Sequence, residues 1–296
     1  MRPIQTTIAR SLARTGAERS LPAARAALDE VRERLATGKR IARPSDDPAG
    51  FGRAETLRLL EGRLAQHERG IGAARQWTDQ TQAQVDALAE VFVRAYETGL
   101  QAANGVYDAE DLAVQVESLR DEAVTRLNAR SAGEYLFAGN ATGTAPLAAD
   151  GTIAPGDFGG RRTREVAPGV TLALNVTGDD ALSVDGVPAP ERLQILADAI
   201  RLGDPAAMEA AIAGVQAGSD HYIELGGRTG SVARQLDHAR ANVEAQAVTA
   251  GEARAQVEEI DLAETLGAFE RRQTGLEAAL RATAATVQPS LLDYLR

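Results

Sequence analysis

The 296-residue sequence contains no cysteine. That absence excludes disulfide frameworks, thiolate zinc sites, iron–sulfur clusters and cysteine nucleophiles together. Histidine occurs three times, at His67, His221 and His238, too few for a histidine-built metal centre. Aromatic residues make up 4% of the chain, with one tryptophan, so long alanine- and leucine-seamed helices fit better than a core rich in large rings. Lysine occurs once, at Lys39, and the remaining basic residues are arginine; we read this as a compositional bias without functional content. Positive charge is in deficit: the formal net charge is −10, which argues against nucleic-acid binding, because phosphate contacts need a concentrated basic surface. No run approaches the roughly 18 to 20 apolar residues of a membrane span, so no membrane insertion is expected. The first residues, MRPIQTTIARSLARTGAERS, hold no apolar core of a secretory signal. Composition alone therefore reads as cytoplasmic, a reading that covers only routes using a cleaved signal.

What is present is ordinary for a folded chain: 44% hydrophobic and 25% charged residues, and a length that suggests about two domains. Glycine and proline mark the organisation. Residues 139–190 hold nine glycines and five prolines, so the middle is turn-rich and the flanks are helical. Within the middle, Val170 to Val176 alternates apolar with polar or small residues and predicts a strand. Ala181 to Val184 followed by Asp185-Gly186 predicts a second short strand and a tight turn.

The flanks keep a 3/4 apolar spacing. Leu21, Ala24, Leu28, Val31 and Leu35 form a first seam. Leu57, Leu60, Leu64, His67, Ile71, Ala74, Thr78, Thr81, Val85, Leu88 and Phe92 continue the pattern through a helix over 54–99 that would be about 65 to 70 Å long. Leu112, Val116, Leu119, Ala123 and Leu127 mark a third helix. Near the C-terminus Leu262, Leu266, Phe269, Gln273, Leu276, Leu280, Thr283 and Val287 step by four and three. Residues 206–256 read as helical with a weaker seam. The expected fold is mainly α: a long antiparallel helical bundle or coiled coil formed by the N- and C-terminal halves, with a small β-rich insert. The expected segments are 1–42 (N-terminal assembly helix), 43–138 (helical half), 139–190 (outer β insert), 191–260 (second helical half) and 261–296 (C-terminal assembly helix). Residues 1–40 carry a net charge of +5 and residues 252–296 a net charge of −3, a weak bias towards pairing.

The most distinctive local string is Arg43-Pro44-Ser45-Asp46-Asp47-Pro48-Ala49-Gly50. Its chemistry is that of a turn and a helix start: Asp47 caps, Pro48 takes the first helical position, and Asp46 adds negative charge at the positive helix end. Gly38-Lys39 resembles the end of a phosphate-binding loop, but Glu33 stands where that loop needs glycine. His67, His221 and His238 read as packing or surface residues, and Trp77, one position off the seam, as packing on a neighbouring helix. No catalytic constellation is visible, and an enzyme would need a site of dispersed Asp, Glu and Arg.

Four strings then carry a resemblance to the flagellin superfamily. They are Thr37 to Ala49 (TGKRIARPSDDPA), Gly133 to Asn140 (GEYLFAGN), Ile260 to Thr265 (IDLAET) and Ser290 to Leu295 (SLLDYL). Pro44 before Ser45-Asp46-Asp47-Pro48, the run into Thr144-Ala145-Pro146-Leu147 and the SLLDYL tail resemble the branch that joins hook to filament. The filament subunit itself is the alternative within the family, and a non-flagellar helical scaffold the alternative outside it. The resemblance implies a non-enzymatic structural protein without cofactor, assembled as a ring of copies of itself. Its expected neighbours are hook-associated protein 1 on the hook side and flagellin on the filament side. It also implies export through the flagellum's own type III apparatus, an extracellular location at the hook–filament junction, and an export chaperone on the C-terminal helix. The expected assembly interface comprises Leu21, Leu28, Val31 and Leu35 at one end, with Leu262, Leu266, Phe269, Leu276, Leu280, Val287, Leu291 and Leu292 at the other. In the free chain these helices are expected to lack partners and to pair on docking.

Overall fold

The computed structural model describes the backbone of residues 3–105, 108–167 and 169–287, and side-chain surroundings from 20 to 284 within those ranges. The order of elements is α1 (Pro3–Thr37), α2 (Pro48–Ala103), α3 (Ala109–Leu127), β1 (Arg130–Ser131), β2 (Glu134–Tyr135), β3 (Thr163–Ala167), β4 (Val170–Ala173), α4 (Gly178–Leu182), β5 (Ser183–Val184), β6 (Val187–Pro188), α5 (Ala189–Leu202), α6 (Pro205–Glu258) and α7 (Leu262–Val287). The fold is mainly α. It divides into two compact units, Met1–Gly62 with Val248–Arg296, and Arg63–Ala247. The boundaries fall inside the continuous helices α2 and α6.

In the unit of residues 63–247, the heptad seam of α2 is the core. Leu64, Ile71, Ala74, Thr78, Thr81, Val85, Leu88 and Phe92 are all buried. The threonines fit because each hydroxyl donates back along its own helix: Thr78 to the Ala74 carbonyl at 3.0 Å and Thr81 to that of Trp77 at 3.0 Å. α6 runs antiparallel to α2. Gly99 faces Ile212, Gly218 faces Phe92, Gly226 faces Asp86, and Arg75 pairs with Asp237 at 2.9 Å. Glycine on the facing side of α6 brings the two backbones close. A Cβ at Gly218 would run into the Phe92 ring.

α3 packs against α5, with Leu112, Val116, Leu119, Ala123 and Leu127 meeting Leu193, Leu196, Ala197 and Ile200 in one cluster. Asp108 caps α3, accepting from the Glu110 amide at 2.8 Å. Arg201 on α5 ties the same pair of helices from outside, reaching Glu110 at 2.9 Å and Glu117 at 2.6 Å.

The middle of the chain forms three antiparallel two-stranded pairings, β1–β2, β3–β4 and β5–β6. Two strand readings need correction. The strand expected over 170–176 stops at Ala173. Beyond it, Asn175 uses its side chain, accepting from the Arg162 amide at 2.7 Å and donating to the Gly160 carbonyl at 2.9 Å. Ala181 and Leu182 are helical, closing α4, because Thr177 caps that turn and accepts from the Asp180 amide at 3.2 Å. The strand β5 starts at Ser183, two residues later than expected, and Asp185 and Gly186, both at positive φ, make the tight turn to β6. Leu147, Phe158, Val176, Leu182 and Val184 from this middle segment sit in one core with α2, α3, α5 and α6. The second resemblance string contributes its centre: Leu136, Phe137 and Ala138 are buried, and Gly139, at φ +56°, lies with its open side against the Phe158 backbone. Tyr222 donates from its hydroxyl to the Ala181 carbonyl at 2.7 Å and packs its ring 5.2 Å from Phe92. Burial pushes its phenol well above the usual tyrosine value.

Replacing Gly218 with alanine should therefore cost about 1 to 3 kcal/mol through overpacking against Phe92. Alanine's better helix propensity, worth about 1 kcal/mol, offsets only part of this. Urea unfolding of the full chain measures the difference; a variant as stable as the parent would show that α2 and α6 have room to spare.

Candidate assembly surface

The other unit, residues 1–62 and 248–296, holds both predicted assembly segments. α1 presents the expected spacing: Leu28 and Val31 are buried, and Leu21, Ala24 and Leu35 are half-buried. The helix ends at Gly38, whose φ of +68° is the left-handed conformation that closes helices; its amide donates to the Arg34 carbonyl at 2.9 Å. α7 begins after Asp261, whose carboxylate accepts from the amides of Ala263 at 2.9 Å and Glu264 at 3.0 Å. The third resemblance string is thus a helix cap.

α1 and α7 pack against each other within the single chain. The Ile260 amide donates to the Gly38 carbonyl at 3.1 Å, and further along the Arg32 guanidinium lies 5.9 Å from the Phe269 ring centre, so the helices run antiparallel. This corrects the expectation that the terminal helices lack partners in the free chain. The covering is unequal. On α7, Phe269 and Leu276 are half-buried, while Leu262 is 65%, Leu266 49% and Leu280 42% exposed. Val287 lies at the helix end outside the described side chains, and Leu291 and Leu292 lie outside the described residues. In the same unit Leu59 and Leu60 of α2 and Val248 of α6 are exposed. Leu59 and Val248 fall off every apolar seam, so spacing gave no signal for them.

Between the two helices, the first and third strings meet. Arg40 donates its amide to the Glu258 carbonyl at 2.7 Å, and Ile41 donates to the same oxygen at 3.4 Å. The Arg40 side chain donates to the Val257 carbonyl at 2.8 Å, bridging 217 residues of chain. Lys39 and Glu259 pair as an isolated antiparallel bridge, and Ile41 is 2% exposed. The Glu258 carboxylate is fully buried and is surrounded by cations. Lys39 and Arg58 both reach its Oε1, and Arg254 stands 3.4 Å from its Oε2. Glu55 and Glu61 back this group from α2, contacting Arg58 and Arg254. Burial alone would raise the Glu258 carboxyl, but hydrogen bonds from Lys39 and Arg58 outweigh it and hold the group below the usual carboxylate value. Glu258 carried no sequence signal, since it lies in the weakly patterned part of α6.

The Ser45-Asp46-Asp47-Pro48 turn follows directly. Asp47 accepts from the Gly50 amide at 2.9 Å and Pro48 is the first residue of α2, as its cap chemistry predicts. Asp46 accepts instead from the amides of Ala42 at 3.0 Å and Arg43 at 2.9 Å, fixing the loop. These two bonds hold its carboxyl below the usual range. Ser45 is exposed. Gly50 is buried with its open side against Asp47 and Ile41, so the turn packs closely on α2. In the second unit, Trp77 is half-buried and stacks under the Arg162 guanidinium at 4.3 Å. His221 donates to the Asp180 carbonyl at 2.6 Å, His67 is half-buried and His238 exposed. Among the described residues no group of three or more His, Asp or Glu could hold a metal ion, and no helix is long and apolar enough to cross a membrane.

A mainly α chain whose α1 and α7 pack on one another, with capped turns leading into α2 and α7, defines a class of helical proteins closed by pairing of their outer helices. Comparison with known proteins places it more narrowly. The chain belongs to the flagellin family: the bacterial flagellin N-terminal helical region matches residues 8–142, and the C-terminal helical region matches residues 215–295. It is similar to flagellar hook-associated protein 3 of Escherichia coli strain K12, 27% identical over 169 residues, which is 54% of this chain and 52% of that protein. It is also similar to the flagellar filament 41 kDa core protein of Borreliella burgdorferi, 32% identical over 98 residues, covering 32% of this chain and 29% of that one. The match to the Escherichia coli relative thus spans about half of its length. A solved structure from Vibrio parahaemolyticus, assigned as a flagellar hook-associated protein, shares the fold with a TM-score of 0.66 at 21% identity, covering 72% of this chain and all of that one.

Two predictions follow from the geometry of this unit. Asp47→Ala should lose the cap on α2 and cost about 1 kcal/mol, read by thermal unfolding; an unchanged midpoint would mean the cap is redundant. Asp46 and Glu258 both have folded values below their free ones, so each contributes stability that is full above the ordinary carboxylate range. That contribution should be lost as pH falls from that range through the lowered folded values. A circular-dichroism titration of the native chain and of Asp46→Asn should differ there; coincident curves would contradict the assignment for Asp46.

Proposed function

We propose that this chain is a non-enzymatic structural subunit of the bacterial flagellum that joins the hook to the filament, polymerising as a ring through its terminal helices. The observation that carries the reading is the incomplete covering of α7: it is paired with α1, yet Leu262, Leu266 and Leu280 remain largely in solvent. Burying such side chains is worth up to about 1.5 to 3 kcal/mol each, a gain that a neighbouring molecule can supply. The match of both chain ends to the flagellin helical regions, and the name of the Escherichia coli relative, supply the setting.

In this role the half-covered stripe of α7 forms the self-association surface, and the α1 seam of Leu21, Leu28, Val31 and Leu35, in which Leu28 and Val31 are already buried, supports it from within the chain. Hook-associated protein 1 contacts the ring on the hook side and flagellin on the filament side. The chain travels unfolded through the flagellar type III apparatus and works outside the cell, held before export by a chaperone on its C-terminal helix. The filament reading is supported by the Borreliella relative, but that match covers 29% of its partner against 52% for the hook-associated protein.

Mass spectrometry of sheared flagella from the encoding bacterium separates these readings. A junction subunit appears at low copy beneath abundant flagellin. Dominance of this chain in the preparation would favour the filament reading, and its absence would remove the flagellar role altogether.

A further inference from the structure

Among the described residues, Glu258 joins the loop after α1 to the turn before α7 both by backbone and by charge. Its carbonyl oxygen takes the amides of Arg40 and Ile41, and its carboxylate takes Lys39, Arg58 and Arg254. The burial is one-sided: Glu258 has a side-chain exposure of 1%, against 42% for Lys39, 33% for Arg58 and 28% for Arg254. Lys39 and Arg58 share a single oxygen, so two cations from separate segments are held at contact distance by one negative charge. Removing that charge leaves both cations without the anion they share. The carboxylates that remain nearby, Glu55 and Glu61, engage other nitrogens of Arg58 and Arg254, and among the described residues Lys39 is the one cation of the three with no second anionic partner.

We infer that Glu258 is an electrostatic latch: its charge holds the 38–41 loop on the 258–261 turn, and loss of that charge releases α1 and α7 while the unit of residues 63–247 stays folded. The buried cluster around Phe92, Val116, Leu193 and Tyr222 contains no residue of 1–62 or 248–296, so opening one unit need not open the other. This inference does not depend on the flagellar role. It concerns the isolated chain and is read without assembly.

Hydrogen exchange of the full chain, followed by mass spectrometry, tests it. In Glu258→Gln, peptides covering 39–47 and 258–272 should exchange at least tenfold faster, while peptides covering 85–95 and 112–127 should be unchanged. Unchanged exchange throughout, or equal acceleration in both units, would overturn the latch. A second variant separates charge from packing. Adding Lys39→Met to Glu258→Gln removes one of the two cations, so protection at 258–272 should partly return. If the double variant exchanges faster than the single one, Glu258 acts by filling space and the inference fails.

Discussion

The closure of the chain on itself depends on a short stretch of main chain, Gly38 to Ile41, meeting another, Glu258 to Ile260, across more than 200 residues of sequence. Closing so large a loop costs entropy, though the cost grows only slowly with length, and a handful of hydrogen bonds near water returns little. What makes the contact durable is that its polar groups are satisfied in a partly buried place. Ile41 is buried beside it, the amides of Arg40 and Ile41 both reach one carbonyl, and a buried carboxylate is matched by three cations. A carboxylate without those cations could not be buried there at acceptable cost. The helices α1 and α7 take their antiparallel register from this point.

Much of the architecture was legible because it is periodic. The seam from Leu64 to Phe92, His67 apart, is buried as the spacing requires, and the third helix at Leu112 to Leu127 is buried on the same terms. The cap at Asp47-Pro48 followed from local chemistry alone, since a helix start depends on neighbours within one turn. The short strands were harder. At Leu174 to Val176 the alternation persists, but Asn175 satisfies the backbone with its side chain and the ladder ends early, a choice made by a residue thirteen positions away, Arg162. At Ala181 and Leu182 a Thr177 cap overrode the strand pattern.

The role of Glu258 was out of reach for a different reason, whereas the pairing of the two chain ends was foreshadowed by their opposite net charges. Nothing local distinguishes Glu258 from the other acids of a long polar helix; its meaning comes from Lys39, Arg58 and Arg254, which belong to three separate segments. The resemblance strings did point to the place, since two of them, around Gly38-Lys39-Arg40-Ile41 and Ile260-Asp261, turn out to be the two sides of this one contact. Read separately they are a helix end and a helix cap. Only the fold shows that they touch.

The leucines of α7 gain their significance from this geometry. In an unpaired helix, exposed Leu262, Leu266 and Leu280 would say little, because any amphipathic helix in water shows such a face. Here α7 already has a partner, its axis is fixed by the turn at Asp261, and Phe269 and Leu276 are turned towards cover while those three are not. A helix held in one orientation offers its remaining apolar face without the ordering cost that a free helix would meet on binding. In the proposed role, the contact at Glu258 bears on association as well as on folding: it holds an apolar segment as a surface of defined shape, which is what a repeating neighbour requires if each copy is to add in the same way as the last.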